Sequence, residues 1–191
     1  EGISFPDRYH ESVEDVIRVI DTIARHEEVH VNVPNSNYRR IVRDVLEVRG
    51  VPLRRVRFHE IPTNECWTRD HGPAFVLRER RGQRQAAIVD WGYNAWGGKY
   101  PPWDADDAVP TRVAKELGLP VFHPGIVMEG GAVDVNGAGT VLTTTSCLLH
   151  KNRNPHLSKP EIEQYLKDYY GQQHVVWLGD GIEGDDTDGH I

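Results

Sequence analysis

Residues 132–178, AVDVNGAGTVLTTTSCLLHKNRNPHLSKPEIEQYLKDYYGQQHVVWL, read as two strands, a helix and a third strand. The strands are predicted at 132–135, 140–144 and 173–178. The helix, 158–170, is marked at both ends, with Ser158 as N-cap, Glu161 at N3 and Gly171 just past the last turn. The same order is predicted upstream. Strands at 74–78 and 85–90 flank a turn holding Gly82, a helix at 107–117 has Pro110 in its first turn and Gly118 at its end, and a strand follows at 120–123. The first strands of the two groups start 58 residues apart, a period that suggests an array of similar supersecondary units. The groups share no sequence identity, so an α+β domain with alternating elements is the plainer alternative. Further toward the N-terminus, 12–26 is predicted as a helix with a Ser12/Asp15 capping box and apolar residues from Val13 to Ala24 at helical spacing. A strand at 29–33 ends at Pro34. A helix at 36–49 is expected to bury Ile41, Val42, Val45 and Leu46, and a strand at 55–60 follows.

A polar, glycine-containing corner precedes each of the two groups, and a third follows them. These corners are Asn64 to Pro73, Met128-Glu129-Gly130-Gly131, and Asp185 to His190. Asp70 and Glu129 are 59 apart and Glu129 and His190 are 61 apart, so units related by rotation would bring all three side chains to one site. Two carboxylates and an imidazole suit a guanidinium substrate. The planar cation presents five N–H donors to fork-like acceptors, and histidine is the natural proton shuttle near neutral pH. Each corner also has a plainer reading. Asp70 beside Arg69 could be a surface ion pair, Glu129 a turn residue, and 183–190 a solvated loop or a cation site that fails the EF-hand pattern. Trp91, Trp96 and Trp103 crowd a long segment, 91–103, that could wall a pocket. His123, His150, His156 and His174 show no zinc-ligand spacing and read as structural or surface residues.

Composition narrows the partners. The 191 residues and 21.7 kDa suit one domain or a piece of a larger one, and 38% hydrophobic residues can fill a core. A net charge of −7 and pI near 5.8 argue against nucleic-acid binding, which needs a basic face. No apolar run approaches the roughly 18 residues of a membrane span, and no signal peptide is read at the start. Two distant cysteines, Cys66 and Cys147, point to a reducing, cytoplasmic home and read as structural. The ends, Glu1-Gly2-Ile3 and Gly189-His190-Ile191, look like cuts through a longer chain.

The stretch Glu65 to Pro73 resembles the W-x-R-D-x-G-P signature of the agmatine deiminase and bacterial peptidylarginine deiminase family. Asp90 to Tyr100 resembles its D-W-x-x-N-A-W-G-G segment. Glu129-Gly130-Gly131, Asn152-Arg153-Asn154-Pro155 and Asp185 to His190 match in order and spacing. The resemblance implies an α/β fold of pentein type, a propeller of five strand–strand–helix–strand units. Here it would be incomplete, with about three of the five in a single truncated domain spanning 1–191. It implies that Asp70 and Glu129 grip the guanidinium, that Glu129, His190 and Asp70 form the catalytic group, and that Trp67 lines the substrate channel. The implied reaction is hydrolytic deimination, foremost of agmatine to N-carbamoylputrescine and ammonia in polyamine synthesis, through a cysteine-linked amidino intermediate. No cofactor or metal is implied. Peptidylarginine or arginine deimination, an amidinotransferase, and a noncatalytic guanidinium-binding fragment are the alternatives. The family's nucleophilic cysteine and a second guanidinium-binding aspartate are expected beyond Ile191. On that expectation the isolated chain is inactive, and pairing with a second copy covers its exposed edges.

Overall fold

The computed structural model describes residues 4–191, so the reading of Glu1-Gly2-Ile3 falls outside the described residues. The chain forms two compact units, one running to Cys66 and the other comprising Trp67–Ile191.

In the first unit, helix α1 (Tyr9–Ala24) leads to strand β1 (Val29–Asn32), helix α2 (Ser36–Val48) and strand β2 (Val56–His59). The strands pair in parallel from Val29↔Val56 to Asn32↔His59, with α2 as the crossover. Ile17, Ile20 and Ala24 of α1 pack with Leu46, Val51 and Val56. Helix α1 starts earlier than its sequence suggests, and the Ser12/Asp15 box is not formed. Ser12 is already inside the first turn, where its Oγ donates to the Arg8 carbonyl at 3.0 Å. Asn35 caps α2, accepting from the Asn37 and Tyr38 amides. The buried face of α2 is narrower than expected: Leu46 is buried, while Ile41 and Val45 are 46% and 39% exposed.

The second unit holds two three-stranded sheets of the same design. In the first, β3 (Ala74–Arg80) and β4 (Gln83–Val89) form an antiparallel hairpin along their full length, and β5 (Val121–Phe122) joins β4 in parallel at Ile88 and Val89 only. In the second, β6 (Val133–Val135) pairs antiparallel with β7 (Thr140–Thr144), and β8 (His174–Leu178) pairs in parallel with β7. Both sheets therefore have the strand order first–second–third. Short helices α3 (Thr68–His71), α4 (Ala95–Gly98) and α7 (Thr145–Leu148) lie at the corners. The helix expected at 107–117 is two pieces, α5 (Asp104–Asp107) and α6 (Val109–Leu117), because Pro110 lacks the N–H that would carry the ladder on from α5. Helix α8 (Lys159–Tyr170) forms with its Ser158/Glu161 capping box intact. Its Ile162 and Leu166 join Val89, Trp91, Met128, Val141 and Leu148 in one core. Among the described residues no helix is long and apolar enough to cross a membrane.

Candidate active site

Asp70, Glu129 and His190 come from three separate segments of the second unit and meet. Asp70 sits on α3, which packs on the short 3-10 turn Gly130–Ala132 that follows Glu129. The contact is close because Gly130 and Gly131 carry no side chain. A Cβ on Gly131 would overlap Asp70 Oδ1 and His190 Nδ1. His190 Nδ1 lies 3.6 Å from Asp70 Oδ1, with the two side chains 14% and 10% exposed. The Asp70–Arg69 surface pair is not what forms: Arg69 turns away and donates to the Val133 carbonyl at 3.1 Å. The second Asp70 oxygen accepts from Trp96 Nε1 at 3.2 Å.

The loop bearing His190 is wound around Asp185. That carboxylate accepts from the amides of Thr187, Gly189 and His190 at 3.0, 2.9 and 3.1 Å. Burial alone would raise the Asp185 pKa, yet the Thr187 hydroxyl, donating at 2.6 Å, and these amides hold it below the usual range. The backbone continues into the site, where the Ile191 amide donates to the Gly131 carbonyl. Asp188 is held by Lys99 Nζ at 2.9 Å and Arg153 Nη1 at 2.9 Å. Burial opposes its ionisation, but bonds from Lys99, Arg153 and Asn152 prevail and depress its pKa to about 2. Asp185 and Asp188 are therefore partnered within the protein, whereas Glu183 and Asp186 of the same stretch are exposed.

Glu129 is fully buried and paired with an equally buried arginine, Arg153, whose Nε donates to Oε1 at 2.7 Å. Glu129 Oε2 and His190 Nε2 are buried and make no hydrogen bond among the described residues. Burial lowers the His190 pKa below its ordinary value, against the pull of Asp70, Glu129 and Asp185. Trp67 is 40% exposed and meets Trp96 edge-on, with ring centroids 6.5 Å apart. A groove of 1320 Å³ touches Asp70 and Gly130 and is lined by Val76, Met128 and Tyr170, but Glu129, His190, Trp67 and Trp96 do not line it.

Three contributors were not assigned from sequence. In the sequence Arg153 carries no signal beyond its place in the Asn152-Arg153-Asn154-Pro155 run. Trp96 was read as a pocket wall, whereas it is a donor to Asp70. It reaches that position because Ala95 and Trp96 adopt φ of 52° and 55°, an uncommon conformation for such residues. Cys147, expected to be structural, is fully buried, and its sulfur, a Glu129 oxygen and a His190 nitrogen lie within 4.8 Å of one another. One ion could be bound by such a donor set. The fit is poor on charge, since Arg153 already places a cation on Glu129. Burial, followed by the nearby Glu129 charge, pushes the Cys147 thiol up to about 12.

An α/β chain of this topology is shared with solved deiminases. It superposes on the agmatine deiminase of Enterococcus faecalis with a TM-score of 0.83 at 36% identity, covering 95% of this chain and 48% of that one. A Campylobacter jejuni agmatine deiminase with substrate bound, a serine-for-cysteine variant, gives 0.81 at 30% identity, covering 95% and 51%. A Legionella pneumophila protein provisionally named agmatine deiminase is 47% identical over 131 residues, 69% of this chain and 37% of its own length. The model of the Porphyromonas-type peptidyl-arginine deiminase family matches residues 2–191, and the chain belongs to that family. It spans about half the length, or less, of these relatives.

Proposed function

We propose that this chain carries the guanidinium-gripping part of a hydrolytic deiminase, with agmatine as the favoured substrate. One observation carries the reading: Glu129 is buried with one carboxylate oxygen unbonded, close to an imidazole that itself faces Asp70. An unpaired buried acceptor is costly, and a planar cation with several N–H donors would offset that cost. Asp70 and Glu129 orient the guanidinium, Trp67 lines its approach, and His190 exchanges protons with the nitrogen that departs. His190 takes the proton of a cysteine thiol, and the resulting thiolate attacks the guanidinium carbon, forming an S–C bond. His190 protonates one nitrogen, which leaves as ammonia. Water deprotonated by His190 then adds to the same carbon, and breaking the S–C bond returns the thiolate and a ureido product.

The thiolate comes from residues outside these 191. The high Cys147 pKa and complete burial support this, since a thiol pushed to about 12 is protonated at neutral pH. The two sheets of equal strand order support a propeller of pentein type, of which 1–191 is about three of five units in one domain. Two cysteines without a disulfide fit a cytoplasmic setting, and pairing with a second copy belongs to the same reading. Calorimetry with agmatine is the test. Binding that is lost in Asp70→Asn and Glu129→Gln is expected, with no ureido product from this chain alone. Failure to bind agmatine, arginine and an arginyl peptide alike would overturn the guanidinium reading, and ureido product would overturn the placing of the nucleophile. The family's name favours peptidyl-arginine as the second substrate, and competition between agmatine and an arginyl peptide separates the two.

A further inference from the structure

We propose that Arg153 is the positioning residue of this site, clamping the Glu129 carboxylate and the His190 loop into one array. The inference rests on the reading that Glu129 and His190 serve a guanidinium ligand. A single buried guanidinium reaches three chain segments. Its Nε donates to Glu129 Oε1 at 2.7 Å, on the residue preceding the 3-10 turn. Its Nη1 donates to Asp188 Oδ2 at 2.9 Å and to Asn152 Oδ1 at 2.6 Å, and its Nη2 to the Thr187 carbonyl at 3.0 Å. Thr187 and Asp188 stand three and two residues before His190.

The third segment is the turn that carries Trp96. A Cβ on Gly97 would strike Asn152 and come within 2.8 Å of Arg153 Nη1, so the turn packs onto the arginine through a glycine. Asn94 fastens it there, donating to the Asn152 carbonyl at 3.0 Å. Through that turn Arg153 also backs the donor that fixes Asp70.

Neutralising Glu129 would need only one contact. The spread of bonds to Thr187 and Asp188 has a different effect: it sets where the imidazole stands relative to Glu129 Oε2. A lysine would keep the charge, but its single ammonium cannot reproduce a planar fork with separated ends. The clamp leaves Oε2 unbonded, so it holds the carboxylate without competing for the oxygen a ligand would meet.

Arg153→Lys in the 191-residue chain separates charge from geometry, and it keeps a cation beside Glu129 so that the fold survives. Two readouts are needed. Amide hydrogen exchange should quicken about tenfold at Gly189 and His190 in the variant, with Ile162 and Leu166 of α8 unchanged. Agmatine affinity by calorimetry should fall about tenfold. Asp188→Asn, which removes the loop-side charge and leaves the Arg153–Glu129 pair intact, should loosen the same amides. Wild-type exchange in the loop of both variants would overturn the clamp, whatever happens to binding. A loosened loop with unchanged agmatine affinity would overturn its role in positioning. If the unmodified chain binds no agmatine, the guanidinium reading fails by itself. The clamp is then decided by exchange alone, where a quickened loop upholds it and an unchanged one overturns it.

Discussion

Arg153 Nε meets Glu129 Oε1 at 2.7 Å with both side chains wholly withdrawn from solvent. Removing one member of such a pair leaves an uncompensated buried charge, whereas replacing both with apolar groups can be nearly neutral. Arg153→Met is therefore expected to destabilise the chain by about 3–5 kcal/mol, with the share due to the stranded Glu129 charge recovered in the double variant Arg153→Met, Glu129→Leu and the share due to Asp188 and Thr187 retained. Urea unfolding of the two single variants and the double reads the coupling directly, and strictly additive effects would contradict it.

Trp96→Phe keeps an aromatic ring against Tyr93 and Trp67 but deletes the Nε1 donor to Asp70. A hydrogen bond to a charged group contributes about 1.5–3 kcal/mol, so agmatine binding should weaken by about tenfold or more. Calorimetry beside a melting curve checks that the loss is in the ligand and not in the fold.

Gly131→Ala adds one methyl group where Asp70 Oδ1 and His190 Nδ1 already crowd the backbone. Either Asp70 or His190 must move, and neither is the tip of a long, flexible chain. The expected outcome is a folded protein, by circular dichroism, that no longer binds agmatine. Retained affinity would show that the site tolerates a looser Asp70–His190 spacing.

His190 titrates below its ordinary value because burial disfavours the cation more strongly than the surrounding carboxylates favour it. The unfolded chain takes up this proton near pH 6.5 and the folded chain at a lower pH. Between the two midpoints the unfolded state binds more protons, so stability rises with pH there. This contribution is present above about 6.5 and declines as pH falls toward the folded midpoint. Following the imidazole Hε1 resonance through a pH series gives that midpoint, and a value at or above 6.5 would be inconsistent with the buried ring.

Cys66 is exposed and Cys147 is buried with its thiol pushed up to about 12. A soluble disulfide reagent should modify Cys66 within the mixing time and Cys147 only at the rate of unfolding. Mass spectrometry of quenched samples distinguishes one label from two.

Elements whose ends are written in local chemistry were legible from sequence, as Ser158, Glu161 and Gly171 were for α8. The start of α1 was not, because Ser12 satisfies itself on the turn before it and Asp15 pairs instead with Arg18. The meeting of Asp70, Glu129 and His190 could be inferred from their similar spacing of 59 and 61 residues, read as corners of similar units. Arg153 could not: its partners lie 24 and 35 residues away, and no local periodicity marks a buried cation. The Trp96 donor was hidden for a different reason. It depends on two non-glycine residues in left-handed backbone, a conformation held by the Asn94 and Asn152 contacts and not by residue preference.

The hairpin of β3 and β4 reaches well past the two residues that β5 pairs with. Among the described residues, no other strand hydrogen-bonds the outer edge of Gln83–Ala87. Such an edge invites a neighbouring molecule to add its own strand and begin an aggregate. Arg78, Arg80, Arg81 and Arg84 cluster on this ribbon with a single carboxylate, Glu79, across from Arg84, so the ribbon is net positive and two copies meeting at this edge, as opposed to elsewhere, would oppose like charges. This guard is purely electrostatic. It weakens as salt shortens the range of charge repulsion, which makes the colloidal behaviour of the chain a function of ionic strength.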